Sequence, residues 1–264
     1  MAGEAIVVDD GSTDGTEEAV SVLQKKVRYK LKYAKQAHKG PAAAHNRGIK
    51  ESESQFILFI GDDIFPRNDS IARHMDSLTR HPDCAILGYV EWCKDEKITD
   101  FMNYVAPNGF QFRFNTIKDP DDCDFKHFYT SNISLGKWWF AKDRFDEDLP
   151  YGALEDAELS YRLKKKGLRI IFNADALGYH CHQKTIDSFS ERMRLTGNSS
   201  VILLKKHPEL RSVLLPTGAA LAAPLFFILA RFPLLEKMNK RLYWFCRIVH
   251  SYLEGVKEGR RSCV

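Results

Sequence analysis

A chain of 264 residues with 44% hydrophobic side chains is long enough for one large domain or two smaller ones, and it is not a disordered tract. Lysine and arginine (39) exceed aspartate and glutamate (35) only slightly. The basic residues are interspersed with acids rather than gathered in a stripe, which disfavours a nucleic-acid binder and leaves phosphate-bearing substrates or an anionic membrane surface open.

Met1 is followed directly by a strand-like run, without the basic and apolar regions of a signal peptide. Glu4–Val8 predicts a buried strand, and Asp9–Thr16 is a cluster of turn formers leading to a helix in which Ala19, Val20, Leu23 and Val27 recur at helical spacing. Asp14 is placed to cap that helix, with Glu17 three residues on. Val27, Tyr29, Leu31 and Tyr33 alternate with basic residues as in a more exposed strand, and Gly40-Pro41 opens a helix through Ile49. Gln55–Ile60 is a short apolar run that reads as a strand of a parallel sheet covered on both faces. It delivers Asp62 and Asp63 to the crevice at its carboxyl end, the plainer alternative being an acidic turn in water.

A helix over Ser70–Arg80 and a strand over Cys84–Val90 continue a βαβ alternation. Glu91–Lys126 is irregular, aromatic and acidic at Asp119–Asp124, as expected of a binding loop that covers an active site. A strand over Phe128–Leu135, a helix over Leu154–Lys166 closed by Gly167, a strand over Leu168–Phe172 and a helix over Ser188–Lys206 follow. Val213–Ala230 carries no charge but holds Pro216, Gly218 and Pro224, so a buried or interfacial helical hairpin ranks ahead of a membrane-dipping segment. Leu234–Glu258 is a basic-aromatic amphipathic helix, suited to a membrane surface or to finishing the fold. The six cysteines (Cys84, Cys93, Cys123, Cys181, Cys246, Cys263) form no Cys-x-x-Cys pair, so they read as mostly reduced thiols in a cytoplasmic protein and not as a zinc site; Cys263, second from the end, does not fit a prenylation box.

Acids fall at three element ends: Asp9-Asp10, Asp62-Asp63 and Glu155-Asp156. With their surroundings, Val7-Val8-Asp9-Asp10-Gly11-Ser12-Thr13-Asp14-Gly15-Thr16, Gly40-Pro41-Ala42-Ala43-Ala44-His45-Asn46-Arg47-Gly48, Gly61-Asp62-Asp63 and Glu155-Asp156-Ala157-Glu158-Leu159-Ser160-Tyr161-Arg162-Leu163, they closely resemble the signatures of glycosyltransferase family 2. The likeness runs over residues 4–185. It implies an α/β fold of the GT-A type, a Rossmann-like mixed sheet flanked by helices, with a helical C-terminal extension. The expected division is residues 1–100 for the nucleotide-sugar-binding half, 101–190 for the acceptor-binding half of the same domain, and 191–264 for the extension.

The resemblance implies an inverting transferase that moves a sugar from a nucleotide-diphosphate donor, a UDP-sugar first, to an acceptor hydroxyl of a glycan or a lipid-linked molecule. Asp156 matches the catalytic base, although an acid at a helix start is also favoured by the macrodipole alone. Asp10 matches the acid that accepts from the nucleotide base, Asp62 the ribose contact, and Asp63 the ligand of a divalent Mn²⁺ or Mg²⁺. Gly61 stands where many members have a third acid. His180 matches a histidine that completes the metal site in some members, with His182 as competitor; Asn132 and Glu155 match donor or acceptor contacts. His45 and Arg47 sit where basic residues approach the nucleotide, though position 45 is commonly Arg. Members begin with a strand and helix ahead of the Glu4–Val8 equivalent, so the alternative is a truncated, non-catalytic nucleotide- or sugar-binding remnant of the fold. A dinucleotide-dependent oxidoreductase fails for want of Gly-x-Gly-x-x-Gly after the first strand. The expected location is the cytoplasm, or the cytoplasmic face of a membrane met through the C-terminal region.

Overall fold

The computed structural model describes residues 3–95, 97–149, 151–215, 218 and 222–262. The strands are β1 (Glu4–Asp9), β2 (Lys30–Lys35), β3 (Phe56–Ile60), β4 (Ile64–Pro66), β5 (Ala85–Trp92), β6 (Asn132–Gly136) and β7 (Ile170–His180). The helices are α1 (Thr16–Gln24), α2 (Pro41–Glu51), α3 (Ser70–Arg80), α4 (Asp100–Val105), α5 (Glu155–Lys165), α6 (Ile186–Lys206), α7 (Arg211–Leu214), α8 (Ala223–Ala230), α9 (Pro233–Met238) and α10 (Lys240–Ser262). They fall into two compact units, Met1–Glu91 with Thr116–His180, and Trp92–Asn115 with Cys181–Val264.

In the first unit, β1 and β2 pair in parallel as a sheet of their own, from Glu4 opposite Lys30 to Asp9 opposite Lys35. The other strands form a sheet in the order β3-β6-β5-β7-β4. The expected parallel setting of Gln55–Ile60 is corrected: β3 pairs antiparallel with β6, Ile60 opposite Asn132, and closes one edge of the sheet. An apolar run records that a strand is covered, not which way its neighbour runs. The α2 helix packs against both sheets. A Cβ on Gly48 would touch Val8 Cγ2 at 3.5 Å, and the His45 ring meets Phe59 edge-on at 5.4 Å. At the start of β1, Glu4 Oε1 accepts the N–H groups of Glu53 and Ser54 at 2.6 and 3.1 Å.

Several local expectations change. Asp14 does not cap α1; its Oδ1 accepts from Thr16 N–H at 3.2 Å and Thr16 Oγ1–H at 2.6 Å, and the helix begins after Gly15 in the left-handed region, φ 84°. The strand expected over Leu168–Phe172 runs on to His180, so Gly178-Tyr179-His180 is strand and pairs with β4, His180 opposite Ile64. The segment Glu91–Lys126 is not structureless, since it contains α4, whose Thr99 cap accepts from Met102 N–H.

In the second unit α10 packs along α6. A Cβ on Gly197 would lie 2.0 Å from the Tyr252 carbonyl oxygen, and one on Gly255 1.8 Å from that of Arg194, so only glycine permits this backbone approach. Within Val213–Ala230, residues 216, 217 and 219–221 lie outside the described residues, and α8 begins at Ala223. The helix expected over Leu234–Glu258 is two, α9 and α10, broken at Asn239. Cys93 and Cys181 form a disulfide with Cα atoms 4.9 Å apart, an exception to the reading of the cysteines as mostly reduced; Cys84, Cys123 and Cys246 are free and buried, and Cys263 lies outside the described residues. The two bridged cysteines are 88 residues apart in sequence, and each follows the last residue of β5 or β7, which are neighbours in the sheet. Spacing alone could not pair them. Among the described residues no helix is long and apolar enough to cross a membrane.

Candidate active site

The loop after β1 is a knot of hydrogen bonds. Asp9 Oδ1 accepts the N–H groups of Gly11 and Ser12 at 3.0 and 2.6 Å, and the Tyr33 hydroxyl donates to Oδ2. The Tyr33 bond, with the Ser12 and Gly11 donors, holds the Asp9 carboxyl down at about 2. Asp10 is equally engaged. Its Oδ1 accepts from the Gln36 amide at 2.8 Å and Lys39 N–H at 2.9 Å, Oδ2 accepts from Gly40 N–H at 2.8 Å, and His38 Nδ1 lies 2.9 Å from Oδ2. Burial pushes its pKa up, but the Gln36, Lys39 and Gly40 donors outweigh that and hold it below the usual carboxylate range. A carboxylate offers about four lone-pair sites, and three of them are taken by these hydrogen bonds. Asp10 thus latches the β1–α1 loop to the loop that opens α2.

On α2 both expected basic residues are engaged within the protein. His45 is wedged between Phe59 and Phe145, ring centroids 5.4 and 4.7 Å away, and desolvation pushes its pKa down to about 4, so the imidazole is neutral near pH 7. Arg47 Nε pairs with Glu51 Oε1 at 2.8 Å, one helical turn on. Between them Asn46 stitches α2 to the chain at residues 145–147: its Nδ2 donates to the Phe145 carbonyl at 3.0 Å and to Glu147 Oε1 at 2.7 Å, and its Oδ1 accepts Phe145 N–H at 3.0 Å.

The turn from β3 to β4 presents the second acid pair. Asp62 is exposed. Asp63 Oδ2 lies 2.8 Å from Nε2 of His180, which is buried at the end of β7, and the Asp63 side chain remains 33% accessible. The antiparallel β4–β7 register sets this contact, since Ile64, next to Asp63, is paired with His180. Gly61 has a geometric reason: a Cβ there would lie 3.0 Å from Asp63 Oδ1 and 3.2 Å from Ile64 Cγ1. A third acid in this turn would crowd the second.

A carboxylate oxygen and an imidazole nitrogen 2.8 Å apart are spaced like two adjacent ligands of one octahedral cation, which at metal–ligand distances of about 2.1 Å stand about 3 Å apart. The pair fits Mn²⁺ or Mg²⁺ in donor chemistry. Among the described residues no cluster of three or more His, Cys, Asp or Glu side chains suits a metal.

Asn132, expected to face substrate, lies inside the sheet at 2% exposure. Its Nδ2 donates to the carbonyls of Tyr89 at 3.1 Å and Ala176 at 2.8 Å, and its Oδ1 lies 2.9 Å from His74 Nε2. An amide oxygen only accepts, so His74 carries its proton on Nε2, and Nδ1 accepts from the Ser134 hydroxyl at 2.8 Å. A Cβ on Gly88 would come within 2.2 Å of Asn132 Nδ2. Glycine at 88 makes room for the amide.

Glu155 and Asp156 open α5 after Leu154, which holds φ 73°, a strained value for a branched side chain. Asp156 is partly exposed and its Oδ1 accepts Ala157 N–H at 2.7 Å; Glu155 is buried. The helix is oriented by a network that motif reading passed over. Arg162 binds Glu158 through Nε at 2.7 Å and Asp143 through Nη1 at 2.8 Å, and Lys166 binds Asp143 at 2.7 Å. The i,i+4 spacing of Glu158 and Arg162 was its visible half.

The family model described as Glycosyl transferase family 2 matches residues 3–137. Chondroitin synthase of Escherichia coli is 26% identical over 231 residues, covering 76% of this chain and 33% of that protein. Hyaluronan synthase of Pasteurella multocida is 24% identical over 243 residues, 81% of this chain and 25% of that protein. The chain thus spans a third or less of the length of these two relatives. In fold it resembles S. aureus TarS 1-349 in complex with UDP, with TM-score 0.52 and 16% identity over 98% of this chain and 82% of that one. It likewise resembles GalNAc-T7 with UDP, GalNAc and Mn²⁺, with TM-score 0.52 and 11% identity over 76% of this chain and 41% of that one. The fold is that of the GT-A glycosyltransferases.

Proposed function

Because the chain belongs to glycosyl transferase family 2, we propose that it transfers a sugar from a nucleoside-diphosphate donor to an acceptor hydroxyl, with inversion at the anomeric carbon. The observation that carries this reading is the contact between Asp63, in the β3–β4 turn, and His180, at the end of β7, 2.8 Å apart. Asp63 and His180 hold the divalent cation, Asp62 reaches the ribose, and Asp156 takes the proton from the acceptor hydroxyl as it attacks opposite the leaving diphosphate. When bound, the cation supplies positive charge against the charge that builds on the diphosphate. Glu155 orients the acceptor. Asp10 shapes the base pocket through the Gln36–Gly40 loop that it holds, His45 and Arg47 border that pocket from α2, and Asn132 supports the site from within the sheet.

A uridine donor is supported by the UDP present in the TarS and GalNAc-T7 structures, and Mn²⁺ by the latter. A glycan acceptor is supported by the likeness to chondroitin and hyaluronan synthases, with a lipid-linked acceptor next. The test is UDP release from UDP-sugars by the purified chain, with Mn²⁺ and with chelator. Cation-dependent release is expected, and Asp156→Asn should lower it by about 10²–10⁴-fold while leaving Mn²⁺-dependent UDP binding in place. Full activity in Asp156→Asn would sink the base assignment.

Two observations favour a second reading, a non-catalytic nucleotide-binding protein of the same fold. The Asp10 carboxylate accepts three hydrogen bonds from the protein's own donors, and among the described residues β1 pairs with β2 alone. UDP binding without turnover of any donor would select it.

A further inference from the structure

Half of the sixteen large hydrophobic side chains that stand exposed among the described residues fall between positions 225 and 245. α8 contributes Leu225, Phe227 and Ile228, the last 62% exposed, and the next turns contribute Phe232, Leu234 and Met238, the last 72% exposed. These helices are anchored by their other sides. Phe226 meets Phe245 at 5.8 Å, Ala230 and Leu235 are buried, and the Arg231 guanidinium stacks 3.8 Å over Phe227. α10 adds Leu242 and Phe245 to the exposed face, while Trp244, Cys246 and Ile248 point inward. Its far end is engaged by α6 through the glycine contacts at 197 and 255 and through the ion pair of Arg194 with Glu258. The outward side chains are therefore a folded, supported surface and not a frayed end.

Charge distinguishes this face from the rest of the molecule. Residues 223–262 hold eight of the 39 lysines and arginines but three of the 35 acids, so the remainder of the chain is close to neutral. Arg231, Lys237, Lys240 and Arg241 are all exposed around the apolar side chains, with Glu236 the one acid among residues 224–245. A second copy docked face to face would bring these cations together, whereas an anionic surface would complement them. The eight-residue α8 is about 12 Å long, against about 30 Å of hydrocarbon, so it can enter a bilayer surface but not cross it.

We propose that the face formed by α8, α9 and the first turns of α10 lies in the headgroup region of an anionic bilayer, its apolar tips among the acyl chains and its cations on lipid phosphates. The attachment is independent of the transfer chemistry and is read without donor.

The test is flotation of the whole chain with vesicles of phosphatidylcholine alone and of phosphatidylcholine mixed with about one third phosphatidylglycerol, a content that gives the surface a clear negative potential. Binding to the mixed vesicles is expected to exceed that to the neutral ones and to weaken with salt. Leu225→Asp with Ile228→Asp should reduce recovery on both compositions. Lys237→Glu with Arg241→Glu should remove the anionic preference, at about fivefold or more per residue. Circular dichroism melts check that both variants stay folded, and Ile71→Asp, an exposed apolar site on α3, serves as the control that should bind normally. No recovery on either vesicle by the folded protein overturns the proposal. So does unchanged binding in the Leu225/Ile228 variant, or a concentration-dependent dimer in sedimentation that the same substitutions dissolve, which would give the face to a second copy.

Discussion

Asp9-Asp10 and Asp62-Asp63 follow apolar strands, β1 and β3, in the same way, yet their carboxylates meet different partners. The first pair faces inward on the protein. Backbone N–H groups of Gly11, Ser12, Lys39 and Gly40 converge on it, with Tyr33 and Gln36 supplying side-chain donors. Glycine makes the convergence possible. Gly11 (φ 93°) and Gly40 (φ 89°) turn the chain in the left-handed region, and a Cβ at Gly11 would sit 3.1 Å from His38 N. The second pair stands on a tight turn, with Asp62 exposed and Asp63 against the His180 imidazole. Two carboxylates held by backbone and side-chain donors of the protein keep a loop in shape. A carboxylate beside a histidine, with a third of its surface open, is placed to exchange that neighbour for a cation.

The sharpest way to break this contrast is to remove each acid in turn. Asp63→Ala should abolish the Mn²⁺ dependence of UDP binding and cut turnover by about 10³-fold, several kcal/mol of charge stabilisation, with little change in melting temperature. Calorimetric titration of UDP with and without Mn²⁺ reads it. Unchanged metal-dependent affinity would refute the ligand role of Asp63 and erase the contrast with Asp10. Asn132→Ala should do the opposite, leaving the Tyr89 and Ala176 carbonyls and His74 without their shared partner. A loss of about 2–4 kcal/mol in urea unfolding, with the donor KM nearly constant, is expected. A KM effect larger than the stability effect would restore Asn132 to the substrate. Asp10→Ala sits between them, with a loss of about 1 kcal/mol and faster amide exchange confined to Lys39 and Gly40. Protection that persists at those two amides would mean that Asp10 does not hold the loop.

The same contrast explains how much the sequence could tell. The strands and helices that carry the acids were legible because apolar runs, turn clusters, Gly40-Pro41 and Gly167 each act within a few residues. The pairing of Asp63 with His180 was legible only through the family likeness, since 117 residues separate them and the β4–β7 register alone joins them. Asn132 looked like a substrate contact because a polar residue in a strand does not announce its partners. Those partners lie on three other elements, α3, β5 and β7. His74 did leave a trace, standing four residues before the buried Leu78 on one face of α3. Asn46 left another, being a poor helix former in mid-helix, as expected where a tertiary bond outweighs propensity. The break at Asn239 left a local trace as well, since its Oδ1 accepts Leu242 N–H at 3.0 Å as an N-cap of α10, whereas the Cys93–Cys181 bridge left none, its two cysteines standing 88 residues apart.

The smallest effect concerns the bond that fixes Asp9, and titration isolates it from the rest of the site. In the folded protein Tyr33 donates to Asp9, whose pKa is held at about 2 against an ordinary 3.8, while burial and the neighbouring carboxylate raise that of the Tyr33 phenol above its ordinary 10. A carboxylate with a depressed folded pKa contributes stability that is present above its unfolded pKa and is lost as pH falls from about 4 toward about 2. A phenol with a raised folded pKa contributes stability that is present below about 10 and is lost as pH rises beyond it. Tyr33→Phe removes the phenol's contribution and the Tyr33 part of the carboxylate's, leaving the Gly11 and Ser12 donors in place. The melting temperatures of wild type and Tyr33→Phe should therefore differ by a constant few degrees across the neutral range, converge in acid below about 4 and converge again in alkali above about 10. A gap that stays constant into strong acid would show that the Tyr33 hydroxyl does not depend on an ionised Asp9. The loop that Asp9 holds would then owe its shape to the Gly11 and Ser12 amides alone.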